Sequence, residues 1–286
     1  EFLGYETEES EAKVLAIVCE GKEVSNAIAG ASVQIVFNQT PFYAESGGQT
    51  GDSGQVELDG SVTHIEDVRL IAGIFVHFVD SLKFNLSVGD ETKLNVSFEK
   101  RRAIKSNHSA THLLNESLRK NLGNTVSQRG SLNSDDRLRF DFNYNKALSS
   151  EQINKIEKEV NTYIRQNSLV ETRIMTPNEA RELGAQALFG EKYGDVVRMI
   201  EFGESRELCG GIHADSTADI ELFKVKSEID KLYENYTDEN AEKIGELQIT
   251  FEEMNGWNAE SNAATMLSNL GVGESLHYTS MADLDG

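Results

Sequence analysis

The amino-acid sequence predicts an α+β fold in three parts: a small β-barrel over residues 1–97, a two-layer α/β domain over 98–226, and a helical C-terminal tail over 227–286. Three observations predict this division. Apolar and polar residues alternate in the first part, helical and strand-like patterns mix in the second, and the third holds 13 acidic against 2 basic side chains. At 286 residues, with 38% hydrophobic and 26% charged residues, the chain is long enough for two or three small domains with apolar cores.

Short strands are predicted for the barrel part because apolar side chains recur at every second residue between turns. The turns are expected at residues 20–22, 59–60 and 88–90, each of which contains a glycine. The alternating sets are Val14-Ala16-Val18, Val33-Ile35-Phe37, Val76-Phe78 and Leu94-Val96-Phe98.

The second part opens with a helix, because six residues follow a 3.6-residue period and Gly123 stands where a helix is expected to end. The six are Ile104, His108, Thr111, Asn115, Leu118 and Leu122. A second helix begins at the capping box of residues 149–152. A third begins at Thr176-Pro177 and ends by Gly190. Strands are predicted at 126–132, 138–142, 196–200 and 220–225.

Two pairs of metal-ligating side chains occur in this second part. His108 and His112 are four residues apart on the first helix, so both imidazoles project from one face. Cys209 and His213 repeat the spacing across two glycines, which allow a tight turn. Three imidazoles and a thiolate form a tetrahedral set that suits Zn²⁺. The alternative is that the histidines are ordinary helix residues and Cys209 is a small buried apolar residue.

Composition restricts the setting in which the protein works. No apolar run is long enough to span a bilayer, and two cysteines in a chain of this size indicate a reducing cytoplasm. The first residue is Glu1 rather than a methionine, so we expect a piece of a longer protein.

The net charge of -21 argues against a surface that attracts nucleic acid throughout. Basic residues nevertheless cluster around the first helix, either as an RNA-binding patch or as solvated charges: Lys100, Arg101, Arg102, Lys105, Arg119, Lys120, Arg129, Arg137 and Arg139.

Six separated motifs resemble the editing portion of alanyl-tRNA synthetase, in that family's order and spacing. The resemblance covers roughly residues 1–226 and includes all four candidate ligands. The motifs are Pro-Phe-Tyr-Ala-Glu-Ser-Gly-Gly-Gln-Thr-Gly-Asp (41–52), Asn-His-Ser-Ala-Thr-His-Leu-Leu (107–114), Val-Ser-Gln-Arg-Gly-Ser-Leu (126–132), Asp-Arg-Leu-Arg-Phe-Asp-Phe (136–142), Ala-Leu-Phe-Gly-Glu-Lys-Tyr-Gly-Asp-Val-Val (187–197) and Leu-Cys-Gly-Gly-Ile-His (208–213).

The resemblance implies a zinc-containing site that hydrolyses seryl-tRNA or glycyl-tRNA formed in error on the alanine tRNA. It implies one Zn²⁺ at His108, His112, Cys209 and His213, and tRNA as the partner. It also implies that the editing pocket is lined by Thr111, Gln128, Gly47, Gly48 and Gln49. A zinc-stabilised tRNA-binding or protein-interaction module without hydrolytic activity remains the alternative.

The chain departs from the family pattern after the cysteine. Ile212 stands where a threonine is usual, and Ala214, Asp215, Ser216, Ala218 and Glu221 also differ. The four ligands are retained, so the departures concern hydrolysis more than metal binding.

The tail resembles part of an ABC-F ATPase, between the phosphate loop and the signature motif. No Gly-x-x-x-x-Gly-Lys-Ser/Thr sequence occurs in the chain, so no complete ATP site is expected. Ile244, Leu247, Phe251 and Met254 would form one apolar helix face, which indicates a possible protein partner for the tail.

Overall fold

A computed structural model describes residues 1–186, 194–203 and 205–225. Within it, Glu1–Phe223 form one compact unit. The acidic tail predicted at 227–286, with its apolar helix face and its resemblance to an ABC-F ATPase, lies outside the described residues. The domain boundaries therefore stay predictions.

Most regular structure in the described part is β, and the first hundred residues form a nearly closed, barrel-like sheet. Its strands follow the order β6-β5-β10-β1-β4-β8-β7, and β2 pairs with β1. A separate short pair joins β3 to β9. The strands are β1 (Glu9–Cys19), β2 (Lys22–Val24), β3 (Asn26–Ala27), β4 (Val33–Phe37), β5 (Gly54–Leu58), β6 (Ser61–Ile65), β7 (Asp67–Ile71), β8 (Ile74–Val79), β9 (Leu86–Ser87) and β10 (Glu91–Val96).

The predicted alternation in β1 is wrong beyond Val14. The pairing register with β4 shifts between Val14 and Ala16, so an extra residue is accommodated there. Ile17 is consequently fully buried, whereas Ala16 and Val18 are only partly buried. Phe98, predicted as the end of a strand, is instead the first residue of a helix and is largely exposed.

The rest of the unit consists of two long helices packed on a three-stranded sheet, which agrees with the predicted two-layer arrangement. Apolar residues of α1 and α2 meet Ile200 and Phe202 of β14 in one core. The sheet order is β13-β14-β15, and β11 and β12 form a hairpin. The elements are α1 (Phe98–Leu122), β11 (Gln128–Asn133), β12 (Leu138–Phe142), α2 (Ser150–Arg165), β13 (Val170–Met175), α3 (Pro177–Glu182), β14 (Val197–Phe202), β15 (Ser205–Leu208) and a 3₁₀ turn (Thr217–Ile220).

The capping box predicted at Ser149 is present, and the helix predicted to start at Thr176 also has one, but two element predictions are wrong. The helix after Thr176 ends at Glu182, well before 190. Residues 221–225 form no strand. The Asn161 side chain forms hydrogen bonds with both backbone groups of Phe223. It donates to the carbonyl at 2.8 Å and accepts from the N–H at 3.0 Å. Those groups are therefore unavailable for a sheet.

A buried ion pair links the barrel part to α1. Arg101, on the first turns of α1, is fully buried and donates through two nitrogens to the Asp52 carboxylate. Arg101 also donates to the carbonyls of Gly4 at 3.1 Å and Pro41 at 2.7 Å. Asp52 in turn accepts the Tyr43 N–H at 2.7 Å. The pair thus fixes the segment 41–52 against the helix that carries the two histidines.

Candidate metal centre

The helix α1 places His108 and His112 side by side, as their spacing predicts. Their rings are stacked with centroids 5.3 Å apart, and the two residues are 4% and 5% exposed. Gly123 ends the helix with a φ of 112°, a conformation that favours glycine. The long regular helix therefore fixes both imidazoles on a buried face.

The second pair of ligands follows directly after β15. The Cys209 N–H donates to the Arg198 carbonyl, and the Arg198 guanidinium donates to the Gly211 carbonyl at 2.6 Å. The Tyr5 hydroxyl donates to the Gly210 carbonyl at 2.6 Å, although it is 205 residues away in sequence. Arg198 lies over the Tyr5 ring at 4.3 Å, so the turn is held from both sides.

The four candidate ligands converge on one point. Their ligand atoms all lie within 4.8 Å of one another. Cys209 Sγ is 3.4 Å from His108 Nε2 and 3.3 Å from His213 Nε2, close to the roughly 3.6 Å that a tetrahedral Zn²⁺ site requires between sulfur and nitrogen. His112 Nε2 is buried and has no hydrogen-bond partner among the described residues, as expected for an atom that binds a metal. The residues present therefore fit a metal ion.

Each imidazole is oriented through its other nitrogen. His108 Nδ1 lies 2.8 Å from Gln49 Oε1, and His112 Nδ1 lies 2.8 Å from Glu207 Oε2. His213 Nδ1 lies 3.4 Å from Ser109 Oγ. Such contacts fix the tautomer in which Nε2 is free to coordinate. All three Nε2 atoms are thus available to a single ion.

The cluster also favours the ionised thiol. Burial raises the pKa of Cys209, but His108 and His213 outweigh it and hold the pKa well below the ordinary value. Burial lowers the pKa of His213 to about 3, whereas at His112 the Glu207 carboxylate and Cys209 outweigh burial and raise the pKa to about 10. A metal that binds His112 would therefore displace a proton from it. A thiolate and neutral imidazoles are the forms that bind metal.

Of the predicted pocket residues, Gln49 contacts the cluster, Thr111 precedes His112 on α1, and Gln128 lies on β11. Gln49 is fully buried, and its Oε1 accepts from His108 Nδ1 and from the Ile212 N–H at 2.9 Å. Thr111 donates its hydroxyl to Asn133 Oδ1 at 2.6 Å or to the Asn107 carbonyl at 3.0 Å. Gln128 donates to Ser131 Oγ at 3.0 Å.

The two glycines of the 41–52 segment differ. Both have positive φ, 59° at Gly47 and 84° at Gly48. A Cβ at Gly48 would lie 2.7 Å from the Ser131 carbonyl oxygen, whereas a Cβ at Gly47 would meet nothing within 4 Å. Gly48 therefore lies in close contact with β11, whereas Gly47 has open space around it.

Sequence reasoning did not identify Glu207, Asn133, Ser109 or Tyr5 as neighbours of the site. A signal existed only for Glu207, which precedes Cys209 by two residues in an extended segment and therefore faces the same side of the strand. Ser109 directly follows His108 on α1, but its hydroxyl faces His213, which is 104 residues away, and Asn133 and Tyr5 come from other parts of the chain.

The basic cluster around α1 is largely neutralised. Arg101 is buried against Asp52, and five of the other eight basic residues form ion pairs with carboxylates. These pairs are Arg102–Glu221, Lys105–Glu8, Lys120–Glu159, Arg137–Asp136 and Arg139–Asp141. The arrangement favours solvated surface charges over a strong phosphate-binding patch.

Two family models match the chain. Residues 1–100 match tRNA synthetases class II (A), and residues 197–266 match the threonyl and alanyl tRNA synthetase second additional domain. The second match extends beyond the predicted boundary at 226. These two segments of the chain are thus similar to domains of tRNA synthetases.

The similar curated proteins are alanine–tRNA ligases. Those of Ruegeria sp. (strain TM1040) and Paracoccus denitrificans (strain Pd 1222) are 52% and 51% identical over 237 and 241 residues. The alignments cover 79% and 80% of this chain but 27% of each relative, so the chain spans about a quarter of their length. It is homologous to that part of alanine–tRNA ligase. Among the described residues no helix is long and apolar enough to cross a membrane, and the cytoplasmic location stays a prediction.

Proposed function

We propose that this chain hydrolyses the ester bond of seryl-tRNA or glycyl-tRNA formed in error on the alanine tRNA. The observation that carries the proposal is the convergence of His108, His112, Cys209 and His213 beside the 41–52 segment. The relatives, alanine–tRNA ligases, and the match to the second additional domain support tRNA as the partner. Serine or glycine as the amino acid, and the alanine tRNA, are part of the proposal.

The metal is proposed to be one Zn²⁺, held by His108, His112, Cys209 and His213. When bound it supplies a fixed positive charge at the junction of α1 and the 209–213 turn. Four protein ligands make a closed site, which is typical of a positioning role. An aminoacyl-tRNA ester is already activated, so the residues around the metal need only hold the ester and a water in place and stabilise the developing negative charge.

Selection of serine is assigned to the Thr111 region. The single hydroxyl hydrogen of Thr111 is engaged with Asn133 or Asn107, so its oxygen can act toward a substrate only as an acceptor. A seryl hydroxyl can donate to that oxygen, whereas an alanyl methyl group cannot and would leave it unpaired. Sites built on such a hydrogen bond reject the analogue that lacks the hydroxyl. Gln128 and Gly47 are the other predicted pocket residues that could reach the ester.

Gln49 and Gly48 are assigned a supporting role. Gln49 Oε1 already receives two hydrogen bonds, one from the candidate ligand His108 and one from the N–H of Ile212 in the 209–213 turn. Gly48 lies against Ser131 and receives the Asn133 N–H at its carbonyl at 2.7 Å. Both residues thereby connect the 41–52 segment to α1 and β11, and they shape the pocket without needing to touch the ester.

A second candidate is a zinc-stabilised tRNA-binding module without turnover. The closed set of four buried or partly buried ligands favours it, because such sites are usually structural. The two candidates share metal binding and differ only in hydrolysis. A protein partner for the acidic tail also remains a proposal.

Metal content and deacylation of seryl-tRNA, measured with and without a chelator, test the proposal. We expect about one zinc per chain and hydrolysis that exceeds the spontaneous rate. Cys209→Ser is expected to lose the metal, while Cys19→Ser, at the partly buried cysteine of β1, is the matched control and should retain it. Zinc without hydrolysis would favour the second candidate. Absence of zinc from the wild-type chain would contradict both.

A further inference from the structure

Glu207 is a buried carboxylate next to the metal cluster, and the proposed hydrolysis gives it no role. The residue is 5% exposed, and its two oxygens face His112 Nδ1 and Asn115 Nδ2, each at 2.8 Å. In the part of the chain that the structure describes, Glu207 pairs with His112, an imidazole that counters the carboxylate only when it is protonated, and with neither a lysine nor an arginine. A buried carboxylate without a cation is strongly unfavourable. The position therefore calls for positive charge on the side of His112.

A bound metal would supply that charge. Zn²⁺ with one thiolate and three neutral imidazoles retains one positive charge. The three histidines are at most 6% exposed, so water does little to screen it. The carboxylate of Glu207 brings the formal charge of the buried group to zero.

The three imidazoles have different partners, and only one partner is charged. His108 faces the amide oxygen of Gln49, and His213 faces the hydroxyl of Ser109 at the longer distance of 3.4 Å. His112 alone faces a carboxylate, which orients the ring and makes its free nitrogen a stronger donor to a metal.

We infer that Glu207 is a positioning residue that orients His112 and neutralises the bound metal, and so sets the affinity of the site without being a ligand. The inference rests on the metal site proposed above. It extends that proposal by naming the residue that controls how tightly the metal is held.

Glu207→Gln tests the inference because it removes the charge and keeps the size of the side chain. The glutamine oxygen can accept from His112. Asn115 Oδ1 is now buried without a partner, and once the Asn115 side chain turns over, this oxygen can accept from the glutamine amide. We expect zinc affinity, measured by competition with a chelating dye, to fall about 10- to 100-fold. Glu116→Gln is the matched control. Glu116 is a half-buried carboxylate on α1, one turn after His112. Its side chain accepts from Gln186 Nε2 at 3.3 Å and forms no hydrogen bond with a candidate ligand, so zinc affinity should stay unchanged.

Glu207→Asp carries the test if the glutamine variant does not fold. Aspartate keeps the charge, but its shorter side chain cannot reach Nδ1, so we expect a smaller loss of affinity and an altered visible absorption of the cobalt(II)-loaded protein. Wild-type affinity in both Glu207 variants would overturn the inference while leaving the metal site intact. An equal loss in Glu116→Gln would overturn it too, because any nearby carboxylate would then suffice. A wild-type chain that binds no zinc would overturn the metal site and the inference together.

Discussion

Gly211 lies against His108 so closely that no side chain fits between them. A Cβ on Gly211 would stand 2.5 Å from His108 Nδ1 and 2.9 Å from Gln49 Oε1, the two atoms joined by the hydrogen bond that orients this imidazole. The neighbouring Gly210 has no such constraint, since its Cβ would come no nearer than 4.0 Å to the Tyr5 hydroxyl. Steric contact with His108 and Gln49 therefore excludes a side chain at Gly211 but not at Gly210.

Gly211→Ala is expected to weaken zinc binding by about 10- to 100-fold, because the methyl group must displace the His108 ring or Gln49. Gly210→Ala makes the same chemical change one residue earlier and should keep wild-type affinity. Chelator competition on both purified variants checks this. Tight zinc binding by Gly211→Ala would mean that the turn moves freely relative to α1.

Arg101→Met is expected to lower the free energy of unfolding by about 3–5 kcal/mol, because it leaves the Asp52 carboxylate buried without its cation. The double variant Arg101→Met with Asp52→Asn should be less destabilised than the two single variants summed. Urea unfolding of the zinc-loaded chain measures this. Arg137→Met is the control, since its pair with Asp136 is 67% and 63% exposed and should leave stability unchanged. If the double variant lost as much free energy of unfolding as the two single variants together, the ion pair between Arg101 and Asp52 would be contradicted.

Because His77 is buried, we expect the free energy of unfolding to fall on acidification. Its Nδ1 donates to the Ile35 carbonyl at 3.2 Å and its Nε2 accepts from the Thr40 hydroxyl at 2.8 Å, so the buried ring is neutral. Burial lowers its pKa from 6.5 to about 4. Between these values the unfolded chain binds the proton and the folded chain does not. His77 therefore makes its full contribution to the free energy of unfolding above pH 6.5. As the pH falls toward 4, about 3 kcal/mol of that free energy is lost.

Unfolding of the zinc-saturated chain at several pH values measures this effect, and His77→Gln should flatten the profile between pH 6.5 and 4. His64→Gln, at an exposed imidazole, should retain the wild-type profile. A His77→Gln profile parallel to that of the wild type would show that another group causes the acid sensitivity.

Ile212→Thr is expected to speed seryl-tRNA deacylation while zinc stays bound. Ile212 is 4% exposed and its N–H donates to Gln49 Oε1, so its side chain is confined beside the ligands. A hydroxyl that hydrogen-bonds to the substrate there would contribute roughly 1–3 kcal/mol, about tenfold to a hundredfold in rate. Ile212→Val has the shape of threonine without the hydroxyl and should not gain. Equal rates in the two variants would place serine recognition on Thr111, Gln128 and the 47–49 segment.

Local patterns determined the parts of this protein that depend on short-range geometry. The 3.6-residue period predicted α1 and the common face of His108 and His112. The capping box at Ser149 and the proline after Thr176 predicted where two further helices begin. The turn containing Cys209 and His213 was likewise readable from a spacing of four residues. Each of these features involves groups within one or two turns of backbone, so the sequence alone specifies them.

The tertiary structure decided which side chains meet across long separations. Glu207 reaches His112 over 95 residues, Gln49 reaches His108 over 59, and Arg101 reaches Asp52 over 49. Arg101 was read as part of a surface patch, yet it is buried because the carboxylate and two carbonyls that satisfy it come from other segments. The bulge in β1 and the missing strand at 221–225 have the same origin, since pairing partners rather than local preference set a strand's register and existence. The sequence therefore identified the candidate metal ligands, and packing determined which side chains contact them.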